Sequence, residues 1–187
     1  SRAGCVCTGL DINEKAAAKA LERGLDVHTD SLQDYAARRQ SSYDAVLAFE
    51  VLEHIYDVRS FFHSALSMLR PGGKLVLSMP NNDAFSYHFD AVQLLNRPPH
   101  HMGLWNYRAL LALGRFFPLR VDTLEFEPLS HFKPQWIDAL LRARLIGKYG
   151  ELWKNLPEEA WELCAAPARE WHPFLHGPSM VAGFIRL

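Results

Sequence analysis

Residues 43 to 81 constrain the fold more than any other part of the chain. They read YDAVLAFEVLEHIYDVRSFFHSALSMLRPGGKLVLSMPN. Ala45 to Phe49 is a short apolar run between Asp44 and Glu50, the pattern of a strand buried on both faces. Beyond it, Val58, Phe61, Phe62, Ala65, Leu66 and Leu69 recur at the spacing of a helix that lays one face on a core. Asp57 is placed to cap that helix, and Pro71-Gly72-Gly73 to stop it. Lys74 to Met79 reads as a second strand. Strand, helix and strand make a βαβ unit, and such a unit demands a parallel sheet with a right-handed crossover. Ligands in such sheets bind beyond the carboxyl ends of the strands. Here those ends carry Phe49-Glu50-Val51-Leu52-Glu53-His54 and Pro80-Asn81-Asn82-Asp83. A core has no need of two Glu and a His together, so chemistry is expected there.

The preceding residues extend the alternation. Cys5 to Ile12 reads as a strand ending at Asp11, followed by a helix from Asn13 that Gly24 terminates. Leu25 to His28 is a short strand, and residues 31 to 39 a helix with Leu32, Tyr35 and Ala36 inward. The order β-α-β-α-β-α-β predicts an α/β fold with a doubly wound sheet. An acid at the end of a strand in a nucleoside-binding sheet can accept from both ribose hydroxyls, and Asp11 stands at such a position. Asn13 is already available to cap the helix after it.

After Asn81 the chain becomes irregular and polar, broken by Pro98-Pro99. A helix is expected after Trp105, then a strand at 119–126 and a last strand at 180–187. Residues 128–179 between those strands far exceed a hairpin loop of about 2–5 residues. This insertion holds Trp136, Trp153, Trp161 and Trp171, with helices predicted at 134–146 and 157–165. It reads either as a satellite helical layer with its own core, or as a lid, a substrate wall or a homodimer surface. Arg142, Arg144 and Lys148 make a modest basic cluster there, read as a solvated helix face.

Composition narrows the partners. The 187 residues carry a net charge of −1, which gives no basic field for binding nucleic acid by charge alone. No apolar run approaches the ~18 residues of a membrane span. Cys5, Cys7 and Cys164 are an odd number, read as small buried hydrophobes in a reducing cytoplasm.

YDAVLAFEVLEHI followed by LRPGGKLVLSMPN resembles the fourth and fifth strands of class I S-adenosylmethionine-dependent methyltransferases, closest in style to the small-molecule and RNA O-methyltransferase branches. The resemblance covers residues 5–126 and 180–187. It implies a Rossmann-like, mostly parallel sheet closed by an antiparallel hairpin of the last two strands. It implies S-adenosylmethionine as cofactor, with Asp11 and Ile12 at the ribose. Asp30 would take the adenine amino group, with Ser31 and Leu32 beside the ring. Phe49 and Glu50 would border the cofactor. The family's first strand and its glycine-rich turn do not occur before Asp11, so the core is expected to lack them, as in an N-terminally truncated chain.

Glu50, Glu53 and His54 spell E-x-x-E-H, and two carboxylates with an imidazole suit a divalent ion such as Mg²⁺ or Mn²⁺. Two branches of the family use such a segment to hold a metal. In one of them a downstream His completes the set, which His101 or His100 of "P-P-H-H" would match. Other methyltransferases with this segment hold no metal. There His54 would serve as general base, the role most often taken by an imidazole.

The acceptor is expected to be a small molecule, methylated on oxygen, with RNA not favoured. The alternative is a non-catalytic binding module that keeps the fold. A nucleotide-dependent oxidoreductase is disfavoured by the missing glycine fingerprint and by LRPGG.

Overall fold

The computed structural model describes residues 4–84, 96–128, 142, 150, 155, 157–161, 163 and 176–187, with no statement on the side chains of 176–178. The chain divides into two compact units: Ser1–Val46 with Asp57–Leu75 and Arg186–Leu187, and Leu47–Tyr56 with Val76–Ile185.

In the first unit, β1 (Gly9–Leu10) pairs in parallel with β2 (Val27–His28), Gly9 opposite Val27 and Leu10 opposite His28. Between them runs α1 (Glu14–Glu22). Asn13 caps it as expected, its side chain accepting from the amides of Lys15 and Ala16. β1 and β2 are shorter than the runs Cys5–Ile12 and Leu25–His28 from which they were read. α2 (Leu32–Ala37) is capped by Ser31 and buries Tyr35 and Ala36, which pack with Met68. Leu10, Leu32, Tyr43 and Val46 complete that cluster.

α3 (Val58–Met68) buries Phe61, Phe62, Ala65, Leu66 and Met68, the face that the apolar spacing predicted. Asp57 caps it, accepting from the amide and the hydroxyl of Ser60. Those two bonds hold the Asp57 carboxyl below its ordinary pKa. The helix ends earlier than the Pro71-Gly72-Gly73 stop. Leu69 is already extended, and β4 (Leu69–Pro80) starts there instead of at Lys74.

β3 (Tyr43–Phe49) crosses from the first unit into the second after Val46, and β4 does so after Leu75. The second unit continues with α4 (Tyr107–Ala112), a short 3-10 turn at Leu113–Arg115, β5 (Leu119–Pro128) and β6 (His176–Arg186). Hydrogen bonding orders these strands β3-β4-β6-β5, in a fold of mixed α/β type. β5 and β6 are neighbours, as the expected closing hairpin requires. Gly183 of β6 is needed there, because a Cβ at that position would stand 2.5 Å from Oγ1 of Thr123 on β5.

One expectation fails. β3 was read as buried on both faces, yet Leu47 is 58% and Phe49 54% exposed. The reason is its place in the sheet. β4 is its one hydrogen-bonded strand neighbour among the described residues, which makes it an edge strand among them. By contrast Leu75, Leu77 and Met79 of β4 are fully buried at alternate positions.

Of the insertion, only a few residues are described. Glu158 to Trp161 are helical, and Trp161 is buried with the Arg142 guanidinium over its ring. Trp136, Trp153, Trp171, Arg144, Lys148 and Cys164 lie outside the described residues. Cys5 and Cys7 are exposed, which corrects their reading as buried hydrophobes. The chain there precedes the two-residue β1 and is not packed into a sheet.

Candidate active site

Beyond β3 the backbone turns sharply. Glu50 has φ +53°, a left-handed conformation that a residue with a side chain adopts only under constraint. Its amide donates to the Ser78 carbonyl, and its Oε1 accepts from the Ser78 hydroxyl at 2.9 Å. β4 therefore holds Glu50 through both backbone and side chain. A 3-10 turn, Leu52–His54, follows. Leu52 is fully buried and anchors the turn, and Glu53 beside it is only 2% exposed.

The same turn is clasped by residues 96–103. The amides of Met102 and Gly103 both donate to the Glu53 carbonyl, at 2.7 and 3.0 Å. His54 donates from Nδ1 to the His100 carbonyl at 2.6 Å, since a carbonyl can only accept. His101 stands against His54 edge to face, with ring centroids 5.0 Å apart. One ligand atom from each of Glu53, His54 and His101 lies within 4.8 Å of the other two.

The electrostatics of the cluster are uncompensated. Glu53 Oε2 is buried with no hydrogen-bond partner, while the other carboxylate oxygen, Oε1, is 3.8 Å from His54 Nε2. Burial pushes the Glu53 carboxyl above its ordinary pKa, and the Glu50 charge adds to the effect. His101 moves the other way. Burial lowers its pKa, helped by His54, so the neutral imidazole with a free lone pair is favoured. A buried carboxylate oxygen without a donor is costly unless a proton or a cation meets it. Two imidazoles and a carboxylate oxygen of Glu53 form a donor set suited to a borderline divalent ion.

Of the four residues named as metal ligands from the sequence, three fall in this set, and Glu50 is bonded to Ser78 instead. His101, and not His100, supplies the imidazole, while His100 contributes its carbonyl. Phe49 is half exposed at the end of β3. The remaining predicted residues belong to the first unit. Asp11 Oδ1 accepts from the Asn13 amide at 2.9 Å, and Ile12 beside it is 80% exposed. Asp30 Oδ1 takes Arg38 Nη2 at 2.7 Å. Ser31 is occupied with Asp34, accepting from its amide and donating to its carboxylate, and Leu32 opens α2. Asn96 and Asn82, which bond within the second unit near His101, were not anticipated. Asn82 lay in the polar strand end already noted, but nothing in the sequence tied Asn96 to a histidine five residues on.

A family model described as "Methyltransferase domain" matches residues 1–124. Among curated proteins, the chain is 32% identical over 93 residues to a ubiquinone biosynthesis O-methyltransferase of Salmonella arizonae. That match covers 46% of this chain and 38% of the relative, so the chain spans well under half of the curated relatives it matches. Among solved structures, a SAM-dependent methyltransferase from Archaeoglobus fulgidus is similar at TM-score 0.58 and 18% identity, over 96% of this chain and 75% of that one. The cyclase SpnF is similar at TM-score 0.55 and 17% identity, over 96% and 65%. These structures show the fold. One of them is named for a reaction other than methyl transfer, so the chemistry has to be argued from the site.

Proposed function

This chain belongs to the methyltransferase-domain family, of class I S-adenosylmethionine-dependent type, and on that premise we propose that it serves methyl transfer to an oxygen of a small-molecule acceptor. The observation that carries the reading is the Glu53, His54 and His101 cluster with the orphaned Oε2 of Glu53. A sulfonium methyl needs little covalent help. In-line placement and loss of the acceptor's proton are what a protein can add.

Asp11 keeps Oδ2 free of the Asn13 amide and can accept from the ribose hydroxyls of the cofactor. Asp30, held by Arg38, can accept from the adenine amino group, with Ser31 and Leu32 next to the ring. Phe49 and Glu50 are proposed to border the cofactor. S-adenosylmethionine supplies the methyl group. Of the two ions expected from the sequence, Mg²⁺ and Mn²⁺, the imidazoles of His54 and His101 with Glu53 favour Mn²⁺, which when bound would lower the pKa of an acceptor hydroxyl. In protein free of such an ion, His54 is the base. Its Nδ1–H is fixed on the His100 carbonyl, so Nε2 carries the lone pair that takes the proton.

The O-methyltransferase match supports oxygen as the acceptor atom. The near-neutral charge supports a small molecule over RNA. Among the described residues no helix is long and apolar enough to cross a membrane. A dimer contact through residues 128–179 and a cytoplasmic setting belong to the same proposal.

Calorimetric titration of the full-length protein with S-adenosylmethionine tests the reading. Saturable heat is expected, with methyl transfer to the hydroxyl of a small-molecule acceptor. Absence of heat would leave the non-catalytic module. A chelator separates the two roles of His54: activity that persists in ion-free buffer assigns the base, and activity restored only by Mg²⁺ or Mn²⁺ assigns the ion site.

A further inference from the structure

The second unit contains a chain of side-chain amides that ends on His101. His101 Nδ1 lies 3.0 Å from Asn96 Oδ1. Asn96 Nδ2 donates to Asn82 Oδ1 at 2.8 Å, and Asn82 Nδ2 donates to the Trp105 carbonyl at 3.1 Å. The Asn82 amide donates to that same carbonyl at 2.8 Å. The direction of this chain is set from its far end. The Trp105 carbonyl can only accept, so Asn82 must present Nδ2 to it and Oδ1 to Asn96. Asn96 must then donate from Nδ2, which leaves its Oδ1 as acceptor. Only a proton on His101 Nδ1 satisfies that oxygen.

We propose that Asn96, backed by Asn82, is a positioning residue that fixes the tautomer and ring orientation of His101. It does so by holding Nδ1 protonated and leaving the Nε2 lone pair for the cluster. The His100 carbonyl performs the same office for His54. Both imidazoles are thus held with Nδ1 donating to residues 96–100, and both offer Nε2. Partners of this kind on the far nitrogen of a ligand histidine orient the ring and raise its basicity. The proposal rests on the reading of His101 as a working residue, whether toward an ion or toward a proton. The hydrogen-bond chain itself does not depend on which.

The test uses the full-length protein labelled with ¹⁵N at histidine, in metal-free buffer near pH ~8, where neutral imidazole predominates. In the wild type, His101 is expected to show a protonated Nδ1 and an unprotonated Nε2. Asn96→Leu is expected to release it toward the Nε2–H form that free imidazole prefers. Asn96→Asp, which can only accept, is expected to keep the Nδ1–H form. Mn²⁺ affinity, measured on the same samples, is expected to fall about 10–100-fold in Asn96→Leu and to recover most of that loss in Asn96→Asp.

Asn82→Ala checks the direction of the chain and is expected to weaken the tautomer preference part-way. A wild-type His101 with a protonated Nε2, or a tautomer unchanged in a folded Asn96→Leu, overturns the proposal. If Mn²⁺ binds to none of the proteins while the tautomer still switches, the amide chain stands and the ion reading alone is refuted.

Discussion

His54 Nε2 faces Glu53 Oε1 at 3.8 Å, while the opposite ring nitrogen donates to the carbonyl of His100. One side of the imidazole is therefore committed to orientation and the other left for chemistry. His54→Gln keeps a hydrogen-bonding side chain but loses the aromatic nitrogen at Nε2. We expect kcat to fall about 10²–10⁴-fold, the usual worth of a placed acid–base or proton-activating group. Steady-state kinetics with saturating S-adenosylmethionine check this. KM for the cofactor should move little.

Glu53 makes the unliganded protein less stable as pH rises above the ordinary carboxylate range. Its folded pKa is raised, so its favourable contribution is complete below the unfolded value, near the ordinary 4.5, and is lost as pH rises through the higher folded value. Thermal unfolding in chelator should show stability declining over that window. Glu53→Gln should flatten the decline, because the amide is neutral throughout. Mn²⁺ should restore the wild type at neutral pH and leave Glu53→Gln nearly unchanged.

Asp11 is proposed to bind the ribose with the carboxylate oxygen that the Asn13 amide does not use. Hydrogen bonds to a charged group contribute about 1.5–3 kcal/mol each, so Asp11→Ala should weaken S-adenosylmethionine binding at least ~10-fold. Asp11→Asn should lose less. α1 should be unaffected, since Asn13 caps it independently. Titration calorimetry and circular dichroism together separate the two effects.

Phe62 is fully buried on α3, with the Phe61 ring at 5.4 Å. Phe62→Ala should cost about 3–5 kcal/mol, read as a fall in the denaturation midpoint. Asp57 at the start of the same helix offers a milder probe. Its carboxyl is held low by Ser60, so the cap works above the ordinary carboxylate range and is lost as pH falls through the depressed value. Asp57→Ala should lower the melting temperature at neutral pH and have little effect in strong acid.

The sequence by itself determined the alternation of elements, the inward faces of α2 and α3, and the caps at Asn13 and Asp57. Each of these follows from a local period or a local hydrogen bond. The E-x-x-E-H segment after a strand likewise puts Glu53 and His54 at a strand end.

The tertiary structure decided what no period encodes. Among the described residues it gave β3 one hydrogen-bonded strand neighbour, because neighbours are chosen by the sheet and not by the strand. It gave Glu50 a left-handed backbone and a bond to Ser78, and it gathered Glu53, His54 and His101 within 4.8 Å of one another. It set the His101 ring against His54 and turned the His100 carbonyl to the His54 Nδ1. It also brought Asn96 and Asn82, fourteen residues apart, into one hydrogen-bond chain. Tautomer and orientation depend on partners supplied across the fold, and only the folded chain can supply them.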